Sequence, residues 1–280
     1  EEGTAPRAVT VAGSDSGGGA GIQADLKTFA ALGTFGMSCL TSVTAQNTHG
    51  VQGVHVVPVA DVLQQMDSVL GDLGADALKT GMLPTSEIVQ AVASKVEEYG
   101  VQHLVVDPVL VATSGCSLAE SDCVPALIEH LFPLATVITP NTVEASALLD
   151  EFPITDVASM VEAARRLHAL GPKYVLVKGG HLLGVTPGTA TDVLCGPTAD
   201  NLQLISRPMV ATKNTHGTGC TLASAIAAHL SRGHEPAEAV VLAKEFVTEV
   251  LRRSAHLSLG SGKQPPMNHA FRMDDWNWPR

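Results

Sequence analysis

The chain alternates short apolar, β-branched runs with longer stretches in which apolar residues recur at helical spacing. The predicted strands are Val9–Ala12, Ser38–Thr44, Ala77–Thr80, His103–Asp107, Thr136–Thr139 and Tyr174–Lys178. The predicted helices are Ile22–Leu32, Val59–Leu73, Glu87–Tyr99, Asp122–Leu131, Ser159–Leu170, Cys220–Leu230 and Pro236–Leu257. This alternation indicates a mostly parallel sheet covered by helices.

Two further patterns refine this prediction. Glycines stand where C-terminal helix caps are expected, at Gly33, Gly100, Gly171 and Gly233. Segments with strict alternation, Val51–Val57, Thr191–Leu194 and Leu202–Ser206, predict strands added at a sheet edge or in a flap.

The domain organisation follows from the absence of any interior repeat or linker. Composition changes only after Gly260, where a Pro-Pro pair and both tryptophans occur. We predict one domain over residues 7–260 and a C-terminal tail over 261–280. Because the sequence begins without Met, we expect it to have been processed or trimmed, so that a targeting segment would be invisible.

Composition excludes several classes of protein. Disorder is excluded because 45% of the residues are hydrophobic, and 17 Lys and Arg against 28 Asp and Glu give the wrong net charge for binding nucleic acid. No apolar run approaches the roughly 20 residues that span a bilayer. The five cysteines include no CxxC pair and suggest neither a disulfide framework nor a thiolate zinc site. We expect a soluble protein of a reducing compartment.

Polar or glycine residues follow nearly every predicted strand. Ligands of parallel α/β proteins bind beyond the carboxyl ends of the strands, so these residues predict one large polar cleft. They are Gly13 to Gly21 after the first strand, Gln46 and Asn47, Lys79, Asp107, Asn141 with Glu144, and Lys178.

The first glycine cluster matches neither standard nucleotide motif. Gly13 and Gly18 have P-loop spacing, but Gly19 stands where lysine is required. The dinucleotide pattern would require glycine at Ile22. The cluster permits close approach of a ligand to the backbone, and it is equally typical of a flexible turn. Asp25 opens the next helix, where a carboxylate also favours the helix dipole.

The second glycine cluster, Gly217-Thr218-Gly219-Cys220, is the strongest single signal because it runs directly into a helix. Backbone N–H groups and the dipole there converge on an anion, such as a phosphoryl group in transfer. The same field would favour the thiolate of Cys220, although a small cysteine also packs well at a helix start.

Five other polar residues each have two interpretations. Asn141 and Glu144 have the spacing of a capping box, which is the favoured interpretation, and Asp107 before Pro108 is typical of a turn. Acidic residues at adjacent strand ends would also suit Mg²⁺. Lys178 ends an apolar strand, which favours pairing with an anion over exposure at the surface. The Gln46 amide could pair with a heterocycle or lie exposed in a loop.

Taken in order, several blocks resemble the hydroxymethylpyrimidine/phosphomethylpyrimidine kinases, the thiamine-pathway branch of the ribokinase superfamily. The resemblance runs from about Arg7 to the tail. The blocks are Ala12–Ser16, Gly17–Lys27, Thr44–Thr48, Lys79–Leu83, Thr139–Asn141, Lys178–His181 and Asn214–Thr221.

This resemblance implies a three-layer α/β/α ribokinase-like fold with a mostly parallel central sheet. It also implies ATP- and Mg²⁺-dependent phosphorylation of 4-amino-5-hydroxymethyl-2-methylpyrimidine to the monophosphate and then to the diphosphate. It further implies a homodimer in the cytoplasm, or in a plastid if the source is photosynthetic. Fusion to, or cooperation with, a thiamine phosphate synthase is left open.

By family position, the resemblance also assigns roles to residues of this chain. The residues implied to hold the pyrimidine are Gly13, Asp25, Gln46, Met82 and Val109. Asp107 and Glu144 would serve the metal, and Asn141, Glu144, Lys178 and Thr218 would face ATP. The implied catalytic set is Lys178 with the anion hole Gly217, Thr218, Gly219 and Cys220.

Cys220 stands where many sugar and nucleoside kinases of the superfamily carry an aspartate general base. We hypothesise that cysteine suits the second phosphorylation, because a phosphate acceptor needs no strong base and would be repelled by a carboxylate.

Three other functions are compatible with parts of the sequence. Pyridoxal kinase is the nearest, and Cys220 with Gln46 favours the pyrimidine over pyridoxal. A catalytically silent binding module is disfavoured by the intact Lys178, Glu144 and Asp107. A nicotinamide oxidoreductase is disfavoured by the failed glycine motif.

Overall fold

The computed structural model describes residues 5–110, 122–180 and 188–271. Its strands are β1 Arg7–Asp15, β2 Phe35–Asn47, β3 Gly50–Val56, β4 Ala77–Thr80, β5 Leu104–Val106, β6 Val137–Ile138, β7 Tyr174–Val177, β8 Thr189–Cys195 and β9 Leu202–Pro208. Within the described ranges they form one sheet in the order β3-β2-β1-β4-β5-β6-β7-β8-β9. The helices are α1 Gly21–Ala31, α2 Val59–Asp72, α3 Ser86–Glu98, α4 Cys123–Ala126, α5 Thr142–Leu148, α6 Val157–His168, α7 Thr218–Ser231 and α8 Pro236–Ser254.

The sheet is parallel in its centre and antiparallel at both edges. Strands β2, β1, β4, β5, β6 and β7 are parallel neighbours, whereas β3 at one edge and β8 with β9 at the other are antiparallel. This confirms the predicted parallel core and the predicted edge strands.

Helices cover both faces of the sheet, each over its own apolar core. One core joins α2, α3 and α6 to side chains such as Val9, Leu78 and Val106. The other joins α1, α7 and α8 to Ala8, Ala77 and Val105. The alternation of side chains along each buried strand supplies both cores at once. The predicted three-layer α/β/α fold is confirmed.

The prediction was wrong in two places. The stretch predicted as one helix over Asp122–Leu131 is α-helical only in α4, then π-helical over Leu127–Leu131 and 3₁₀-helical over Phe132–Leu134. Pro133 lacks the N–H that a regular α-helix would use there. Helix α5 was not predicted from periodicity, since its seven residues are too few to show a pattern.

Glycine caps and chain ends also bear on the prediction. Gly33, Gly100, Gly171 and Gly233 all have positive φ, as expected where helices end.

Residues 261–271 lie against the rest of the chain: the Gln264 amide donates to the Thr48 carbonyl and His269 contacts Thr221. The division at residue 260 stays a prediction. None of the helices in the described ranges has the length and hydropathy needed to cross a membrane.

Candidate active site

The carboxyl ends of the parallel strands bring most of the predicted polar residues to one edge of the sheet. Asp15 ends β1, Asp107 follows β5, and Lys178 follows β7. Asn141, beyond β6, forms a parallel bridge with Lys178 through the backbone. The prediction of a polar edge therefore holds for these residues, because parallel strands end at the same side of the sheet.

The centre of this edge is an ion pair between Lys178 and Asp107. The Lys178 Nζ lies 2.9 Å from Asp107 Oδ1, which also accepts a hydrogen bond from Thr139 Oγ1 at 2.8 Å. Glu144 Oε2 lies 4.0 Å from the same ammonium group. Lys178 is 13% exposed, so its side chain is reachable from the cleft.

Burial and neighbouring charges set the pKa values of these three groups. Burial alone would raise the pKa of Asp107 and lower that of Lys178. The pairing of the two opposes burial, and the result is a lowered pKa for Asp107 and a raised one for Lys178. Glu144 has a pKa raised to about 7, first because it is buried and then because of the Asp107 charge. Lys178 is thus charged, and Glu144 is close to its titration point at neutral pH.

The spacing of Asn141 and Glu144 forms the predicted capping box at the start of α5. The Asn141 side chain accepts from the Glu144 amide at 2.9 Å, and Glu144 Oε2 accepts from the Asn141 amide at 2.8 Å. The capping interpretation is confirmed. It also fixes the Glu144 carboxylate beside Lys178, so the cap and a role toward ligands are compatible.

The turn before α7 leaves backbone donors available at the cleft. Gly217 caps the helix with φ 85°, a conformation that favours glycine, and no side chain caps the helix. The amides of Thr218 and Thr221 donate to the carbonyls of Thr215 and Gly217. For Gly219 and Cys220 the structure shows no backbone amide hydrogen bond to any residue in the described ranges. These two donors at a helix N-terminus suit an anion.

The turn before α7 lies against the Lys178–Asp107 ion pair. A Cβ placed on Gly219 would lie 3.2 Å from Lys178 Nζ and 3.6 Å from Asp107 Oδ2. A Cβ on Gly217 would collide with the carbonyl oxygen of Gly19. The turn therefore packs closely between the ion pair and the first glycine cluster. Gly217 requires glycine, whereas a side chain at Gly219 would have to displace the Lys178 ammonium.

The expected thiolate at Cys220 is wrong. The pKa of this thiol is raised to about 11, first because of burial, and the carboxylates of Asp25 and Asp107 raise it further. The Lys79 ammonium and the Gly21 amide act in the opposite direction. Cys220 is therefore a neutral thiol at physiological pH.

Of the residues predicted to hold the pyrimidine, Gly13, Gln46 and Met82 lie close to strands β1 and β2, and Val109 follows β5. A Cβ on Gly13 would lie 3.1 Å from Met82 Sδ, so the two residues are adjacent. The Gln46 amide nitrogen lies 3.3 Å from His216 Nε2. Val109 is half-buried in the loop after Asp107, with its amide donating to the Asp107 carbonyl at 2.9 Å. Their contact with a pyrimidine stays a prediction.

Asp25 and Lys79 do not lie where the sequence suggested. Asp25 is the fifth residue of α1 rather than a residue of its first turn, and it is fully buried. Lys79 lies within β4 rather than at the polar edge, is fully buried, and pairs with Asp25 at 2.9 Å. Asp25 therefore does not stabilise an exposed helix start.

Two residues of this edge were not singled out from the sequence. The Asp15 carboxylate accepts hydrogen bonds from the amides of Gly17, Gly19 and Ala20, and so shapes the first glycine cluster. His216 Nε2 lies 2.9 Å from Asp15 Oδ2. Asp15 therefore links the two glycine clusters through His216. An aspartate opening a glycine-rich turn was the available signal, since Asp commonly bonds amides two residues on.

Comparison with known proteins gives relatives that match over most of this chain. Over 274 residues the chain is 43% identical to the hydroxymethylpyrimidine/phosphomethylpyrimidine kinase of Bacillus subtilis, which covers 98% of both chains. It is 50% identical over 266 residues to a chloroplastic thiamine biosynthetic bifunctional enzyme of Arabidopsis thaliana, covering 95% of this chain and 50% of that one. The chain spans about half the length of the first curated relatives it matches.

Solved structures agree in fold. A Bacillus subtilis pyridoxal kinase in complex with ADP superposes with a TM-score of 0.87 at 39% identity, covering 95% of this chain and 98% of that one. Residues 15–267 match the family described as phosphomethylpyrimidine kinase, and this span includes Gly17–Gly21 of the first glycine cluster, all of the second cluster and the ion pair at the cleft. The chain belongs to the phosphomethylpyrimidine kinase family.

Proposed function

We propose that this chain transfers the γ-phosphoryl group of ATP to 4-amino-5-hydroxymethyl-2-methylpyrimidine, and then a second one to the monophosphate. The full-length similarity to kinases of that name supports the assignment. The structural observation that carries it is the pair of amides at Gly219 and Cys220, which donate to no residue in the described ranges. A Cβ on Gly219 would lie 3.2 Å from the Lys178 ammonium.

The chemistry of the chain's own groups fits phosphoryl transfer. In the first reaction the hydroxymethyl oxygen forms a bond to the γ-phosphorus, the bond to the ADP oxygen breaks, and the hydroxyl proton is lost. Negative charge develops on the transferring group and on the leaving oxygen. Backbone amides fixed at a helix N-terminus and a buried ammonium stabilise that charge without having to reorganise. Lys178 and the α7 turn supply these groups.

The acceptor in the second reaction is a phosphate oxygen, which is already able to attack. The neutral thiol of Cys220 suits this step, because it adds no negative charge to a site that binds an anionic acceptor. Gly13, Gln46, Met82 and Val109 are proposed to hold the pyrimidine. We assign Asp25 no direct contact with it, since both of its oxygens are bonded inside the protein.

Mg²⁺ fits the donors at this edge. The ion prefers hard oxygen ligands and is usually held by one or two carboxylates together with substrate phosphates. Asp107 and Glu144 provide two carboxylates beside Lys178. In the described ranges no cluster of three metal-ligating side chains exists. When bound, the metal would neutralise charge on the nucleotide, with Asn141 and Thr218 close to the same phosphates.

Pyridoxal kinase is the second candidate. The observation in its favour is the close superposition with a Bacillus subtilis pyridoxal kinase bound to ADP. Pyridoxal and the pyrimidine are both flat, hydroxymethyl-bearing heterocycles, so a shared pocket is chemically reasonable.

One experiment separates the candidates. The purified chain is incubated with ATP and Mg²⁺ and with the pyrimidine alcohol, its monophosphate or pyridoxal, and the products are followed by mass spectrometry. We expect two successive additions of phosphate to the pyrimidine. Product from pyridoxal alone would move the assignment to the second candidate. Binding of the pyrimidine without product from any acceptor would indicate a catalytically silent module.

The assembly and location of the chain are also proposals. We propose a homodimer through the β3 edge, supported by Val54 and Val56, which are 43% and 39% exposed on one face of that strand. Sedimentation equilibrium would show a monomer if this is wrong. The bifunctional relatives support fusion to, or cooperation with, a second thiamine-pathway activity, and their names support a plastid location as well as a cytoplasmic one.

A further inference from the structure

A second lysine–aspartate pair lies beneath the acceptor side of the cleft. Lys79 Nζ is 2.9 Å from Asp25 Oδ2, and neither side chain is exposed at all. Lys79 stands in a four-residue buried strand, where it shares a face with Ala77 and points toward α1 and α7. No ligand of the size of a pyrimidine could touch either group without the protein opening.

Asp25 contacts three of the elements that surround the proposed acceptor pocket. Its carboxylate accepts from Thr10 Oγ1 of β1 at 2.6 Å and from Ser224 Oγ of α7 at 2.6 Å, in addition to Lys79 of β4. With Asp25 itself on α1, four elements meet at one carboxylate.

Each partner of Asp25 lies a few residues from a predicted site residue. Thr10 precedes Gly13 on β1, and Ser224 lies one helical turn after Cys220 on the same face of α7. Lys79 precedes Met82 by three residues. A Cβ on the intervening Gly81 would lie only 2.7 Å from Lys79 Nζ. The ammonium group is therefore directly below the backbone that leads to Met82.

Stability alone does not account for this cluster. Replacing a fully buried ion pair by apolar side chains of similar size is often neutral or stabilising, so a pair of this kind is weak evidence for a purely structural role. The orientation of the pair suggests another role. Of its two charges, the Lys79 ammonium acts more strongly on the Cys220 thiol than the Asp25 carboxylate does. The pair presents its positive end to the acceptor site.

We propose that Lys79 and Asp25 are positioning residues: Asp25 holds the Lys79 ammonium beneath Cys220 and Met82, where this buried cation favours the acceptor that already carries a phosphate. The inference rests on the proposed function and extends it to the choice between the two acceptors. It assigns no contact between either residue and substrate.

The test removes both charges together, because removing only one would leave its partner uncompensated in the core. In the variant Asp25→Asn/Lys79→Met, asparagine keeps one oxygen that accepts from either Thr10 or Ser224, and its amide nitrogen can donate to the other hydroxyl. Methionine matches the length of lysine. We expect kcat/KM to fall for both acceptors, and about threefold further for the monophosphate than for the alcohol. The effect is modest because the variant removes the cation together with the anion behind it, so only the difference between their distances to the acceptor phosphate acts. Equal losses on both acceptors would overturn the proposal.

A matched control removes another ion pair between the same strands. Arg7 begins β1, Asp76 immediately precedes β4, and their side chains pair at 2.7 Å at the opposite end of these strands. Arg7→Met/Asp76→Asn should leave the ratio of the two acceptors as in the wild type. A ratio that changes equally in both double variants would show a general effect of loosening β1 against β4, and would count against the proposal.

A second readout does not depend on phosphoryl transfer. The rate of Cys220 alkylation by iodoacetamide, followed by mass spectrometry of its peptide across pH, reports the thiol pKa. Loss of the Lys79 cation should raise the apparent pKa of Cys220 in Asp25→Asn/Lys79→Met but not in the control. An unchanged profile would overturn the placement of the cation. If the wild type phosphorylated neither acceptor, the proposed function would fail while this measurement would still test the geometry.

Discussion

Two lysine–aspartate pairs, the sealed pair Lys79–Asp25 and the open pair Lys178–Asp107, are built from the same groups at the same separation of 2.9 Å. Neither member of the sealed pair is exposed, whereas Lys178 is 13% exposed and has Glu144 as a second carboxylate 4.0 Å away. The open pair can exchange a protein carboxylate for a phosphate or a metal ion. The sealed pair cannot, so it acts only through the elements and charges it holds in place.

The largest expected effect is the loss of protein stability when the sealed pair is broken. Lys79→Met leaves the Asp25 carboxylate buried without its cation, and breaking a buried pair in this way costs about 3–5 kcal/mol. We expect a loss of that size in the free energy of unfolding, measured by urea denaturation. The double variant Asp25→Asn/Lys79→Met should recover most of it. A single variant within about 1 kcal/mol of the wild type would show that the carboxylate is protonated or solvated, against the structure.

The open pair should respond in rate rather than in stability. Lys178→Met removes the ammonium beside the amides of Gly219 and Cys220, and loss of one such charge-stabilising group costs on the order of 10²–10³ in kcat. Its cost in unfolding free energy should be smaller than that of Lys79→Met, because Glu144 can take up a proton when the cation is lost.

The control for this prediction is Lys173→Met, an exposed lysine immediately before β7. That variant should keep wild-type rates. If Lys178→Met retained more than about a tenth of the wild-type kcat, the open pair would be structural, and the contrast between the two pairs would disappear.

The sequence predicted that Lys178 and Asp107 lie at one edge of the sheet, but it did not predict the sealed pair, and the reason is physical. Lys178 and Asp107 each follow an apolar strand, so the rule that parallel strands end at one edge brings them together. Lys79 lies inside the predicted strand Ala77–Thr80, and β4 has the same bounds. The Asp25 carboxylate that its side chain meets is brought there by the packing of α1 against β4, which the local pattern does not contain.

The same limit explains Asp25 and Cys220. The sequence indicates that Asp25 lies near a helix start, but only the packing of α1 against β4 and α7 shows that it is sealed. Likewise, the helix start at Cys220 predicts a stabilised thiolate, whereas its depth in the protein reverses the sign of the shift. Capping and edge strands were predictable because local spacing determines them, as the Asn141–Glu144 box shows.

A pH-dependent prediction concerns the other side of α7. His269 Nε2 lies 2.8 Å from the hydroxyl of Thr221, the residue that follows Cys220 in α7. The pKa of His269 is lowered from 6.5 to about 4, first by burial and then by the Lys27 charge. The unfolded chain therefore binds this proton below pH 6.5 while the folded chain stays neutral until about pH 4. Stability should fall by about 3 kcal/mol across that interval because of this residue.

The measurement is the free energy of unfolding of the wild type and of His269→Gln between pH 7.5 and about 4.5, within the interval where linkage acts. Glutamine keeps a polar atom for Thr221 and cannot take up the proton, so its stability should fall less steeply with acid. His256→Gln, at an exposed histidine, is the control and should follow the wild type. Parallel slopes for all three proteins would exclude this role of His269.

The smallest expected effect concerns Cys220, which lies within the electrostatic reach of both pairs through Lys79 and Asp107. Cys220→Asp would add a third carboxylate beside Asp25 and Asp107, and it would repel the monophosphate more than the uncharged alcohol. We expect kcat/KM for the monophosphate to fall about tenfold more than that for the alcohol, equivalent to roughly 1.4 kcal/mol. Cys220→Ser, which is neutral and of similar size, should change both values alike. If Cys220→Asp lowered the two values equally, the neutral thiol would not explain tolerance of the charged acceptor, and the sealed pair would be left as the remaining source of that preference.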